Sequence, residues 1–154
     1  MNEHWPRWIF ASCTKHFYAL RGGIPMYIEG EKKVIGSSAS NFELRMDGPR
    51  FTEIAHNQFY VFVELNILVS CPRSDTNFHE IHKNVGIAAK AFTGIKLYKY
   101  GTAVVDDGTL FGCLYLKQKW RNDSLEINHF GQVGPAKDLL QASVEGHYQT
   151  TLEA

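Results

Sequence analysis

Apolar and polar side chains alternate most clearly between Phe59 and Ser70. Phe59, Val61, Val63, Leu65, Ile67 and Val69 occupy the odd positions. Tyr60, Glu64, Asn66 and Ser70 occupy even ones, with Phe62 and Leu68 as exceptions. A period of two belongs to a strand with one face buried. At ~3.3 Å per residue the strand runs roughly 40 Å, about twice the usual length. Such a strand can reach beyond a small core and pair with a neighbour. Upstream, Phe42, Leu44 and Met46 alternate with Glu43, Arg45 and Asp47, which predicts a second strand over 42–47 that Gly48-Pro49 ends. The polar stretch 51–58 reads as a loop.

The period then changes. Cys71-Pro72 close the long strand, and residues 74–77 offer helix caps, Asn77 with Glu80 forming a capping box. Phe78, Ile81, Val85, Ala88, Ala89 and Phe92 recur at helical spacing over 77–92, and Gly94 stops the helix. An amphipathic helix after an amphipathic strand is placed to cover that strand's apolar face. A second helix is predicted over 5–20, with Pro6 at its first turn and Gly22-Gly23 after it. Trp5, Trp8, Ile9, Cys13, Phe17 and Leu20 form its stripe. Phe10 and Tyr18 fall outside the stripe and offer a second aromatic face.

The remaining elements are shorter. Residues 25–31 read as a strand, Lys33-Val34-Ile35 follow a turn, and 36–41 connect to the hairpin. Further strands are predicted over 95–100, 110–120, 125–130 and 141–152. Residues 121–124 turn the chain so that 125–130 pairs back as a hairpin, and 135–140 forms one helical turn. The stretch 101–108 is a loop with a turn at Asp106-Asp107-Gly108. The order predicts one α+β domain over 1–154, an antiparallel or mixed β-sheet with a long central β-hairpin and two helices packed on one face.

Charge and composition narrow the function. Lys plus Arg number 16 and Asp plus Glu 16, so the formal net charge is zero. A nucleic-acid-binding module would carry a basic excess, whereas near-zero charge favours association. Aromatic residues reach 13%, and aromatics serve cores and interfaces alike. Cys13, Cys71 and Cys113 are widely separated and match no metal or redox spacing. They read as reduced thiols, mostly buried, of a cytosolic product. The first ten residues lack a secretory pattern, and no apolar run approaches the ~20 residues that span a bilayer.

Candidate chemistry is sparse. His79 and His82 are three apart, whereas the zinc-protease helix places two histidines four apart, and no third ligand lies nearby in sequence. The run from Gly131 to Lys137 loosely resembles a phosphate loop. It has Pro135 where a lysine should follow the glycine, and no Ser or Thr after Lys137. His56 and His129 stand singly beside turns, and Asp106-Asp107 reads as a solvated turn. No combination supplies nucleophile, base and oxyanion donor together. The chain is therefore expected to be non-enzymatic, with no catalytic, cofactor-binding or metal residues, and to act by assembling.

The block FELRMDGPRF followed by NQFYVFVELNILV and the helix NFHEIHKNVGIAAKAF resembles the tail-terminator or tail-completion proteins of tailed bacteriophages. The region GCLYLKQKW through LEINHFGQVGPAKDLLQASVEGHY resembles small virion proteins of such phages. Together they cover most of residues 5–150. The resemblance implies an N-terminal helix, a long β-hairpin, a helix packed on the sheet, and closing strands. It further implies a hexameric ring at the head-proximal end of the tail. That ring ends the tail tube, docks to the head–tail connector or stopper, and passes genomic DNA transiently through its lumen, with no membrane partner. The protein would be made in the host cytoplasm and reside in the virion. The aromatic-rich N-terminal helix and the material after residue 120 exceed the smallest members, so another neck or tail subunit (stopper, adaptor or baseplate component) is the alternative. From another class, the alternative is a small-ligand-binding domain or an undetected enzyme. Candidate oligomer-interface residues are Trp5, Trp8, Phe10 and Tyr18 on the first helix. Arg50, Phe51, Glu53, His56 and Tyr60 join them around 47–58 and the start of the long strand, and Asp106 and Asp107 in the loop 101–109.

Overall fold

The computed structural model describes residues 1–31, 39–72, 78–102, 105–117, 125–133 and 139–154. Two helices, α1 (Trp5–Ala19) and α2 (Phe78–Lys90), accompany seven strands. These are β1 (Met26–Ile28), β2 (Asn41–Ala55), β3 (Gln58–Pro72), β4 (Ile95–Tyr100), β5 (Asp106–Leu116), β6 (Leu125–Val133) and β7 (Leu139–Glu153). The strand order is β1-β2-β3-β7-β5-β4, with β6 also on β7. Only β1 with β2 runs parallel; every other pairing is antiparallel, which makes the sheet mixed. The fold is α+β, with both helices on one face.

The long strand sits at the centre. β3 pairs with β7 from Gln58 to Pro72 and with β2 from Gln58 to Ser70. Val61, Val63, Leu65, Ile67, Val69 and Cys71 are sealed under the helices, beside Phe42 and Leu44 of β2 and Ala142, Val144 and Tyr148 of β7. From α1, Trp5, Ile9, Cys13 and Phe17 enter the same core, and from α2 Ile81, Val85 and Ala88. Phe17 meets Phe92 edge-on at 5.0 Å between ring centroids, so α1 packs against the segment just after α2. Tyr148 is fully buried and donates its hydroxyl to Thr93 O at 2.9 Å, which satisfies its one polar atom.

Several expectations are corrected. Gly48-Pro49 does not end the second strand. The register passes from Asp47↔Glu64 to Arg50↔Phe62, so the pair is absorbed as a bulge with one extra residue on β2. Gly48 takes φ +102°, and a Cβ there would come within 3.1 Å of Phe62 O. The segment 51–58 is therefore strand and turn rather than loop: β2 continues to Ala55, and Asn57 at φ 60° makes the tip. Among the described residues, the segments expected over 110–120 and 125–130 do not pair as a hairpin. β5 and β6 lie in succession along one edge of β7, because that strand is long enough to hold both. Leu20 lies past the end of α1 and is exposed rather than part of its stripe. Leu139 and Leu140 begin β7 instead of completing a helical turn. Lys33-Val34-Ile35, the caps at 74–77, the turn at 121–124 and residues 134–138, which include the end of the glycine-rich run, lie outside the described residues.

A glycine lets the segment after α2 approach the sheet. A Cβ on Gly146 would meet Phe92 Cδ1 at 2.5 Å, so the Phe92 ring lies where a side chain would stand. Gly146→Ala is expected to destabilise by about 1–3 kcal/mol through overpacking. Gly86 lies in α2, and a Cβ added there would meet nothing within 4 Å. Gly86→Ala should therefore stabilise by about 0.5–1 kcal/mol. Thermal melts of both variants should shift in opposite directions; a Gly146→Ala protein as stable as the parent would contradict this packing.

Candidate assembly surface

One face of the sheet carries no helix among the described residues. Cross-strand register places its side chains in rows. One row holds Arg45 on β2, Asn66 on β3, Glu145 on β7 and Glu126 on β6. The next holds Asp47, Glu64 and His147, and another Arg50, Phe62, Gln149 and Tyr115. His147 stands between two carboxylates, with Nδ1 3.6 Å from Glu64 and Nε2 3.4 Å from Glu145. Arg50 bonds Asp47 at 2.7 Å and approaches Glu64 at 3.9 Å. The Arg50 guanidinium and the Lys117 ammonium both lie within 6 Å of the Phe62 ring centroid. Tyr60 donates to Gln149 Oε1 at 2.8 Å. The face is thus largely hydrophilic, with Phe62 half-buried among the charged side chains.

The edges of the sheet differ in their protection. Exposed N–H and C=O groups on an edge strand are a template for another strand. The outer edge of β4 is closed by α1: Trp8 Nε1 donates to Tyr100 O at 2.7 Å, and Ser12 Oγ accepts from Tyr98 N at 3.0 Å. β1 covers β2 only as far as Leu44. Among the described residues, β2 beyond Leu44 and the outer edge of β6 have no strand partner. Ile54 at the β2 tip and Ile127 and Phe130 on β6 are exposed apolar side chains.

The proposed interface residues divide accordingly. Trp5 and Trp8 are 3% and 9% exposed, so their surface is spent inside the subunit and they leave the interface set. Trp5 stacks on Phe51 at 6.0 Å and meets Phe59 edge-on at 5.7 Å, which also takes Phe51 into the core rim. Phe10 and Tyr18 are 37% and 52% exposed and flank a groove of about 370 Å³ with Thr14, Lys15 and Tyr100. Arg50, Glu53 and His56 are exposed along β2 and its tip, and Tyr60 is half-buried on the hydrophilic face. Asp106 and Asp107, expected in a loop, instead open β5, and they accept from the N–H groups of Gly108 and Thr109. Sequence reasoning missed Glu64, Glu126, Glu145 and His147; their signal was the polar half of each strand's alternation, opposite the apolar half.

Three clusters bear on chemistry. Cys71 Sγ lies 3.2 Å from Ser40 Oγ, which donates to Glu80 Oε1 at 2.8 Å. Burial pushes the Cys71 thiol up, the wrong direction for a nucleophile. Burial likewise pushes Cys13 up to about 12. The His82 and His129 rings lie 5.0 Å apart, while His79 is exposed on α2. Among the described residues no group of three or more His, Cys, Asp or Glu side chains is arranged to hold a metal ion. Among the same residues no helix is long and apolar enough to cross a membrane.

No protein-family model matches this chain, and no curated protein matches it in sequence.

The start of β5 is tied to α1 by an ion pair between Lys15 and Asp106. Its hydrogen bond to Lys15 holds the Asp106 carboxyl below its ordinary value, and the same bond raises Lys15. Asp106 therefore contributes stability above the unfolded carboxylate value of ~3.9 and loses it as pH falls through the lower folded value. Lys15 contributes below the unfolded value of ~10.4 and loses it as pH rises through the higher folded one. The parent should melt above Asp106→Asn at neutral pH, with the difference closing in acid. A gap that persists undiminished at pH ~2 would contradict the ion pair as its source.

Proposed function

We propose that the chain is a structural protein of a tailed-phage virion, forming a ring at the head-proximal end of the tail that terminates the tail tube and joins it to the head–tail connector. The observation that supports the reading is a pair of strand edges on opposite sides of one sheet that have no strand partner among the described residues. A ring needs a heterologous interface, in which one surface of a copy meets a different surface of the next. Two unlike open edges supply such surfaces, and the helices close the sheet's other face. The element order also supports the reading: N-terminal helix, long hairpin, helix on the sheet, closing strands.

The hydrophilic face suits the lining of a DNA passage. It carries Glu43, Asp47, Glu64, Glu126, Glu145 and Glu153 against Arg45, Arg50 and Lys117, with His147 among them. DNA binds proteins largely through cationic contacts to its phosphates. An acidic excess at the lumen lets DNA slide without being held.

Size-exclusion chromatography with light scattering, followed by negative-stain imaging, tests the reading. The expected result is a hexameric ring, formed by the chain alone or on mixing with the tail-tube and connector proteins of its own virion. A chain that stays monomeric at high concentration and forms no ring with those partners would overturn it.

A further inference from the structure

A ring needs two unlike surfaces that fit each other, and side chains near the two ends of α1 supply such a pair. We propose that the β2–β3 hairpin tip of one copy docks into the groove where α1 and α2 end in the next copy. Ile54 is the apolar anchor and Glu53 the charged contact. The inference rests on the self-assembly reading and adds a specific contact to it.

The tip stands clear of its own subunit. Residues 52–57 are all exposed, and the sealed run of β3 begins only at Val61. Ile54 falls at the register shift between Glu53 and Ala55 and is 56% exposed. An aliphatic side chain left in water at a projecting turn gains by burial against a neighbour. The tip is also acidic. Glu53 lies on β2, and Glu153 lies on β7 opposite Gln58. Glu153 accepts a hydrogen bond from Gln58, and neither glutamate makes an ion pair among the described residues. Residues 51–58 and 150–154 contain no Lys or Arg.

The groove lies at the other end of α1. Trp5 meets Phe51 and Phe59 below the tip, whereas Phe17 meets Phe92 just after α2. The 15 residues of the helix span ~22 Å. Where α1 and α2 end, a hollow of about 620 Å³ opens between them. Ala19, Leu20, Ile87 and Ala91 give it an apolar lining, with Lys90 beside them. A second hollow of about 380 Å³ shares Ala19 and Leu20 and adds Lys15 and Lys96. Leu20, common to both, is 44% exposed. No carboxylate lines either hollow.

Charge selects the match. Lys15, Lys90 and Lys96 line the hollows, and Arg21 follows Leu20 with its guanidinium over the Tyr18 ring. Asp106 neutralises Lys15. The negative ends of the two helices offset about one further charge, which leaves about two positive charges for the two glutamates of the tip. Lys90 and Lys96 make no ion pair among the described residues. Tip on tip, or groove on groove, would bring like charges together, which complementary surfaces avoid. Tip and groove lie at opposite ends of one subunit, so each copy gives its tip to one neighbour and its groove to another. That is the heterologous contact a ring uses.

Two variants separate the surfaces. Ile54→Ser removes the anchor from the tip, and K90E/K96E reverses the charge of the groove. All three positions are exposed, so both proteins should keep the parent's circular dichroism. If either misfolds, Ile54→Ala or K90Q/K96Q takes its place. Under conditions where the parent forms its ring, each variant should need at least about tenfold more protein to assemble in sedimentation velocity. Mixed one to one, the two should give a two-chain complex and nothing larger. The sound groove of the first then takes the sound tip of the second, and the other pair is spoiled. Variants that assemble like the parent, or a mixture that stays monomeric, would overturn the docking while the ring persists. So would a groove variant that forms the ring normally but no longer binds the tail-tube or connector protein, since the groove then serves another partner. A parent that assembles only as a closed dimer would overturn it too, because two copies cannot both place tips in grooves at opposite ends. A parent that stays monomeric even with its virion partners would remove the ring itself, and the docking with it.

Discussion

Every odd-numbered side chain of β3 from Val61 to Cys71 is sealed from water, and both backbone edges of that strand are paired along nearly its whole length. A one-residue slip would turn Phe62, Glu64, Asn66, Leu68 and Ser70 toward the helices and expose the valines, leucine and isoleucine now buried. Each such aliphatic side chain contributes about 1.5–3 kcal/mol by burial, and a buried, unpaired Glu64 would cost several more. The register of β3 is thus over-determined. It fixes β2 on one side and β7 on the other, and through β7 it places both β5 and β6.

The helices depend on that central ribbon. The segment just after α2 can lie close because Gly146 leaves room for the Phe92 ring. α1 closes the core at the hairpin end through Trp5 on Phe51 and Phe59, and at the far edge through Trp8 on Tyr100. The same helix therefore seals the apolar core and caps the β4 edge. No comparable element covers β2 beyond Leu44 or β6 among the described residues. The proposed assembly surface follows from this unequal protection: two helices suffice for one face and one edge, and the opposite face stays hydrophilic.

The alternation of Phe59 to Ser70 and the stripes of both helices are legible in the sequence because local period reports the buried face directly. The α+β class and the two helices on one face follow from them. The Gly48-Pro49 pair misleads, because its meaning depends on whether β3 continues beside it. A bulge and a strand end look alike until the partner strand is known. Trp5 and Trp8 mislead for a related reason. Aromatic richness does not say which rings a helix buries against its own sheet.

Sequence alone determined which side chains of each element avoid water, since that depends on spacing within one segment. Only the tertiary structure decided which strands neighbour one another, and hence that Arg45 shares a row with Glu145 and Glu126. Those residues lie far apart in the chain, and no local pattern couples them. Their common row arises from β7 lying between β3 and β6, which packing between distant segments decides.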